Sequence, residues 1–263
     1  MRTFHELHHG DRPLLLPNAW DVPSALAFLH AGFPAIGTTS FGVASGLGRP
    51  DGERATRDAN LSLARRLARL PIHVSVDIED GYTDDPEEIA AYVAELGVAG
   101  VNIEDSTAEK LLPPQAHAAK VAAIKGQNPG VFVNARVDTY WLGQEATVDA
   151  TLDRASHYVE AGADGVFVPG ATEPAELREL AARILVPLNV LVIPALSLAD
   201  LAELGVRRVS TGSLPYRAAI HAATQVATAV RDSGSIPAAV PYPDLQHRLV
   251  RYARKASAGE EVQ

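Results

Sequence analysis

Eight short apolar, β-branched runs, each followed by a segment with helical spacing, recur along this chain of 263 residues, and that alternation leaves few folds open. The runs are LLLPNA (14–19), PAIGTTS (34–40), IHVSVDIED (72–80), GVNIED (100–105), VFVNARVDTY (131–140), GVFVPG (165–170), PLNVLV (187–192) and RRVSTGS (207–213). Helical patterns follow them at 21–31, 54–70, from Pro86, at 115–125, at 144–161, from Pro174, at 198–204 and at 216–231. Strand followed by helix, repeated with short connections, specifies parallel pairing. Eight such units fit an α/β chain closed into a (β/α)₈ TIM barrel, and no glycine-rich phosphate fingerprint after the first strand argues for an open doubly wound sheet. No low-complexity linker interrupts the pattern, so residues 1–263 read as a single domain. Its barrel core covers about 14–231, and an extra C-terminal helical segment covers 232–263. Two placements of that segment stay open: packed on a neighbouring subunit, or capping its own barrel.

Barrels of this kind carry their chemistry at the C-terminal strand ends. The third run ends in three acids within four positions, Asp77, Glu79 and Asp80, and the fourth ends in Glu104 and Asp105. Alternation along a strand puts Asp77 and Glu79 on one face. Carboxylates crowded at a buried strand tip repel one another and lose hydration unless a cation sits between them, so Mg²⁺ (or Mn²⁺) is the expected cofactor. Arg136, inside an apolar run, reads in two compatible ways. It can form a buried ion pair with Asp138 or Glu104, or it can act as a fork that clamps a carboxylate and stabilises developing negative charge. The glycine-rich segment TTSFGVASGLGRPDG (38–52) offers backbone N–H groups for an anion, and Asp51 within it reads equally as a turn residue or an outer ligand of the cation. His117 follows the fourth strand and could swing over a substrate, whereas His5, His8 and His9 read as a solvated helical face.

A formal net charge of −9 argues against nucleic acid as a partner. Cysteine is absent, which removes disulfides, thiolate metal sites and a cysteine nucleophile, and fits a cytoplasmic protein. No apolar run approaches membrane-spanning length, so no membrane partner is expected. None of the four lysines lies within a strand, which disfavours Schiff-base chemistry.

The ordered set PNAWD, GTTSFGVASGLGRPDG, VSVDIEDGY, GVNIEDS, NARVDTYW, GADGVFVPG, PLNVLV and STGSLPYRAA resembles the isocitrate lyase/phosphoenolpyruvate mutase superfamily across roughly residues 14–220. The resemblance implies a (β/α)₈ barrel, commonly tetrameric, with its last helix exchanged between subunits. It implies Mg²⁺ and a small carboxylic-acid substrate whose C–C or P–C bond is broken or formed through a pyruvate-like enolate. Carried over by position, Asp77 is the direct Mg²⁺ ligand and Glu79 a ligand through water. Glu104 and Asp51 complete the acidic set, Thr39, Ser40 and Phe41 hold the substrate carboxylate, Arg136 is the motif arginine, and Asn189 and Ser213 are carboxylate-side contacts. A homo-oligomer, tetramer or dimer, follows from the same likeness.

The departures sharpen the expectation. The family's lyases carry a catalytic cysteine in the loop after the fourth strand, where this chain reads STAEKLLPPQAH, and Pro169 stands where lyases have a glutamate. The leading expectation is a Mg²⁺-dependent lyase or decarboxylase acting on a 2-oxo or 2-hydroxy acid. The alternatives are a phosphonopyruvate-type mutase or hydrolase, and a barrel that binds organic acids without turnover.

Overall fold

The computed structural model describes residues 2–260, with side chains through Arg254, so residues 261–263 of the expected C-terminal extension lie outside the described residues. Nine parallel strands surround the core: β1 (Leu14–Leu16), β2 (Asn18–Ala19), β3 (Ala35–Thr38), β4 (His73–Asp77), β5 (Gly100–Glu104), β6 (Phe132–Arg136), β7 (Gly165–Phe167), β8 (Leu188–Leu191) and β9 (Arg208–Ser210). They run in the order β1-β9-β8-β7-β6-β5-β4-β3-β2. β1 pairs with β9, with Leu14 opposite Arg208, while β2 pairs with β3, with Asn18 opposite Gly37. Since β1 and β2 follow one another in the chain, the sheet closes into eight staves, the expected (β/α)₈ barrel. The first stave splits at Pro17, which has no N–H to give a neighbour but whose carbonyl still accepts from the Gly37 amide at 2.8 Å. Asn18 seals the seam: its Oδ1 accepts from the Thr211 and Gly212 amides, both at 3.0 Å, and its Nδ2 donates to the Thr38 carbonyl at 2.6 Å.

Several strands are shorter than their apolar runs, and the difference shapes the site. β3 stops at Thr38, and Ser40–Gly46 is already helical, with Thr39 as its cap. β4 stops at Asp77, and Glu79 takes a left-handed φ of 50° on the turn beyond it. The expectation that Asp77 and Glu79 share one strand face therefore fails: Glu79 folds back, and its carbonyl accepts from the Glu104 amide at 2.8 Å. β6 stops at Arg136, and Thr139–Leu142 forms one helical turn. After β5, Ser106–Thr107 and Lys110–Leu111 make a small antiparallel hairpin.

The opposite end of the barrel is plugged. A turn of helix, Phe4–Leu7, buries Phe4 against Phe132, and the His8 ring stacks on Phe132 at 4.0 Å between centroids and 10° between planes. His8 is thus no part of a solvated face; its Nδ1 donates to the Phe4 carbonyl at 2.9 Å, and burial, helped by Arg208, pushes its pKa down to about 3. Gly100 makes room for this plug, since a Cβ there would lie 2.7 Å from the Phe4 ring and 3.0 Å from the Phe132 carbonyl.

The eighth barrel helix, Leu214–Arg231, buries none of its residues and exposes Leu214, Ile220 and Val230. The C-terminal helix, Tyr242–Glu260, packs Leu249 and Tyr252 on its own barrel, where the Tyr252 hydroxyl donates to the Arg66 carbonyl at 3.1 Å. Among the described residues no helix is long and apolar enough to cross a membrane.

Gly100→Ala is expected to displace the Phe4 plug and to lower the unfolding free energy by about 1–3 kcal/mol, the usual cost of overpacking. Urea denaturation checks this, and an unchanged midpoint would mean that the plug carries no weight.

Candidate active site

Nine of the ten residues expected at the site converge on two adjoining cavities at the C-terminal strand ends. The narrower, about 280 Å³, is lined by Thr39, Ser40, Phe41, Asp51, Asp77, Arg136 and Ser213 among others. The wider, about 830 Å³, is lined by Phe41, Asp51, Glu79, Glu104 and Arg136 among others. Asn189 lines neither; it is fully buried beneath them, and its Nδ2 donates to Ser210 Oγ at 3.0 Å. Ser210 does face the narrower cavity, so Asn189 acts behind it.

Local structure fixes each acid. The Asp77 amide donates to Thr38 Oγ1 at 2.9 Å, and its carboxylate Oδ2 accepts from the Ser40 amide at 3.2 Å. That bond takes up the Ser40 N–H expected to receive a substrate carboxylate, while the Thr39 hydroxyl accepts from the Gly42 amide as a helix cap. Ser40 Oγ donates to Asp51 Oδ2 at 3.3 Å. Glu79 accepts from the Arg54 amide at 3.1 Å and from the Thr56 hydroxyl. Burial nevertheless raises its pKa, overcoming those two bonds, and the nearby charges of Asp77 and Asp51 push the same way.

Arg136 occupies the centre. It bonds Glu104, and its Nε donates to Asp138 Oδ1 at 2.5 Å, so both ion pairs foreseen for it form at once. Its guanidinium carbon lies 5.5 Å from the centroid of the Trp141 ring and 5.8 Å from that of Phe167, within cation–π range of both. Burial works against its charge, but Asp138 and Glu104 outweigh burial and keep it protonated. Glu104 is pushed up by burial, and by Asp138, Asp77 and Asp51, against the pull of Arg136.

The second acid of each Glu-Asp pair is structural. Asp80 receives the Arg54 guanidinium and the Thr107 hydroxyl, tying the loop before the helix Arg57–Leu67 and the hairpin after β5 to one carboxylate. Asp105 accepts from Arg154 Nε at 2.6 Å and from the Tyr158 hydroxyl at 2.7 Å, and its Oδ1 accepts from the Asp138 amide at 2.8 Å. His117 does not reach the site: it is fully buried on the helix Pro114–Gln127, its ring 4.4 Å from that of Tyr158, and burial pushes its pKa down to about 3. Trp141, Phe167, Asp138 and Arg217 join the expected set. Asp138 and Trp141 share the DTYW tetrapeptide, whose density of polar and aromatic groups at a strand end was the available signal.

The residues fit a hard divalent cation. Among the described residues no three acids or histidines form a ready-made cluster, yet Mg²⁺ keeps most of its waters and needs only one or two carboxylates. Asp77 Oδ1 is buried with no hydrogen-bond partner, an orphaned acceptor that a cation would satisfy, and the charges of Asp77 and Asp51 act on both Glu79 and Glu104.

The phosphoenolpyruvate phosphomutase family model matches residues 4–231. The chain belongs to the isocitrate lyase/phosphoenolpyruvate mutase superfamily. Within it, an uncharacterised Mycobacterium tuberculosis protein is 61% identical over 97% of this chain and 99% of its own. A 2-methylisocitrate lyase of Salmonella typhimurium is 32% identical over 86% of this chain and 82% of its own. The crystal structure of a phosphonopyruvate hydrolase, held with oxalate and Mg²⁺, superposes with a TM-score of 0.81 at 25% identity over 96% of each chain. Lyases, mutases and hydrolases therefore share this superfamily's barrel.

The raised Glu79 pKa has a consequence that thermal melting can read. Without metal, the ionised carboxylate costs stability above its folded pKa; that cost fades as pH falls through the folded pKa toward the unfolded value of about 4.5. Glu79→Gln, whose amide oxygen can accept from the Arg54 amide while its NH₂ donates to the Thr56 hydroxyl oxygen, is expected to melt higher than the unmodified protein at pH 8 and to match it near pH 4. A lower melting temperature at pH 8 would contradict the assignment.

Proposed function

We propose that this protein is a Mg²⁺-dependent enzyme that cleaves a carbon–carbon bond in a small 2-oxo or 2-hydroxy acid, as a lyase or decarboxylase. The observation that carries the reading is that Asp77, with one orphaned carboxylate oxygen, and Arg136 line one cavity at the barrel mouth. Mg²⁺, when bound beside Asp77, would supply Lewis-acid charge withdrawal, with Glu79, Glu104 and Asp51 as outer carboxylates. Arg136 is already oriented by Glu104 and Asp138, so it meets the negative charge of a developing enolate without rearrangement. Ser213 and Arg217, bonded to each other at 3.2 Å, remain to receive the substrate carboxylate in place of the Ser40 amide. Trp141 and Phe41, which line both cavities, form an apolar collar that keeps bulk water from the reacting bond.

A homo-oligomer belongs to the same proposal. Tyr216, at the start of the uncovered helix Leu214–Arg231, packs edge-on to Trp20 and Phe41, while the rest of that helix presents Ile220 and Val230 to a second copy of this chain. Light scattering is expected to give the mass of a dimer or tetramer, and a monomer at micromolar concentration would remove this part.

The test of activity is turnover of a panel of 2-oxo and 2-hydroxy acids, oxaloacetate and 2-alkylmalates among them, dependent on Mg²⁺ and abolished by chelation. Arg136→Lys keeps a charge but loses the fork, and it is expected to lower kcat by about 10²-fold with a smaller change in KM. A panel with no Mg²⁺-dependent turnover would overturn the proposal, and phosphorus NMR showing cleavage of phosphonopyruvate would move it to the P–C bond.

A further inference from the structure

The two cavities that meet at Arg136 differ in charge. The narrower is lined by two carboxylates, Asp51 and Asp77, matched by two guanidiniums, Arg136 and Arg217, together with the hydroxyl groups of Ser40, Thr211 and Ser213, and it is walled by Phe167, Pro169 and Leu191. The wider is lined by six carboxylates, Asp51, Glu53, Glu79, Asp80, Glu104 and Glu109, and Arg136 is the one cation lining it among the described residues. Arg136 is itself committed to Glu104 and Asp138, and the Arg54 that neutralises Asp80 is shared with Asp84. Even a divalent cation beside Asp77 leaves the wider cavity with excess negative charge. A second substrate carboxylate entering it would meet like charge with no guanidinium or lysine to receive it. Ionised carboxylates only accept hydrogen bonds, so the group that suits this lining is a donor, and an uncharged hydroxyl is the simplest one.

Building on the lyase reading above, we infer that the substrate is a 2-oxo acid with a single carboxylate, seated in the narrower cavity, and an uncharged hydroxyl-bearing remainder that projects into the wider one. Its chemistry follows from that shape. The bond between the enolate carbon and the hydroxyl-bearing carbon breaks and its electron pair stays on the 2-oxo fragment. The hydroxyl proton passes to a carboxylate of the wider cavity, and the departing carbon leaves as an aldehyde or ketone. The same carboxyl group then returns the proton to the enolate carbon, so a 4-hydroxy-2-oxo acid yields a 2-oxo acid and a neutral carbonyl compound. Loss of a distal carboxylate as CO₂ would first require placing that carboxylate among the six acids.

Isothermal titration of the Mg²⁺-loaded full-length protein separates the possibilities, with oxalate as the reference and two acids of equal chain length as probes. 2-Oxopentanoate is expected to bind at least about tenfold more tightly than 2-oxoglutarate, a ratio that corresponds to about 1.4 kcal/mol. In the double variant Glu53→Lys, Glu109→Lys, which places two cations at the exposed rim of the wider cavity, that ratio is expected to shrink or invert. Pyruvate release from 4-hydroxy-2-oxopentanoate gives the matching activity readout. If oxalate binds but the dicarboxylate binds as tightly as the monocarboxylate, or the charge reversal leaves the ratio untouched, this inference is overturned while the lyase reading stands. If oxalate itself does not bind with Mg²⁺, the lyase reading falls and takes the inference with it.

Discussion

The mouth of this barrel depends on how its crowded carboxylates are neutralised. Strand ends bring Asp77, Glu79, Asp80, Glu104, Asp105 and Asp138 together, and burying that much negative charge without compensation would be prohibitive. Three arginines from different elements take up the load. Arg54 holds Asp80, Arg154 holds Asp105, and Arg136 spans Glu104 and Asp138. Asp77 and Glu79 receive no such partner: Asp77 has only the Ser40 amide on one oxygen, and Glu79 only the Arg54 amide and the Thr56 hydroxyl. The site is the place where this neutralisation was left incomplete.

The same ion pairs organise the loops. Asp80 joins the segment around Arg54 to the hairpin after β5 through Thr107, and Asp105 joins that hairpin's exit to the helix Val148–Glu160 through Arg154, which also donates to the Leu112 carbonyl at 2.6 Å. Gln144 adds a third tie, its Nε2 donating to the Glu109 carbonyl at 2.8 Å. The segment STAEKLLPPQAH, which lacks the cysteine motif of the superfamily's lyases, is thereby held as a compact rim to the wider cavity. In the proposed lyase chemistry, with no thiol in the chain, proton transfer at this rim would fall to carboxylates. On that proposal the same carboxylates would also limit what charge a substrate can bring, so the acid–base groups and the specificity of the site would rest on the same side chains.

Much of this architecture was legible in the chain because hydrophobic periodicity and strand-end chemistry are local signals. All eight staves were readable from β-branched runs, and the acids of IEDGY and IEDS, the arginine of NARVD and the loop holding Asp51 all stood out. The errors came where a long apolar run does not stop being apolar when it stops being a strand. Glu79 looked like the face-mate of Asp77, yet a left-handed turn intervenes. The Ser40 amide looked available to a ligand, yet Asp77, 37 positions away, takes it. His8 looked solvated because nothing nearby reveals that Phe132, far along the chain, would offer it a stacking face.

The sequence alone therefore determined the barrel, the set of strand-end acids and the superfamily, since each depends on residue order within one βα unit at a time. Tertiary structure decided which acids remain without a charge partner, which loops share a carboxylate, and how the cavity divides into a donor-rich half and an acid-lined half. Those outcomes turn on distances between groups that lie far apart in the chain. Coulombic and hydrogen-bonding energies depend on separation in space and on exclusion of water, and neither quantity is written in the order of residues.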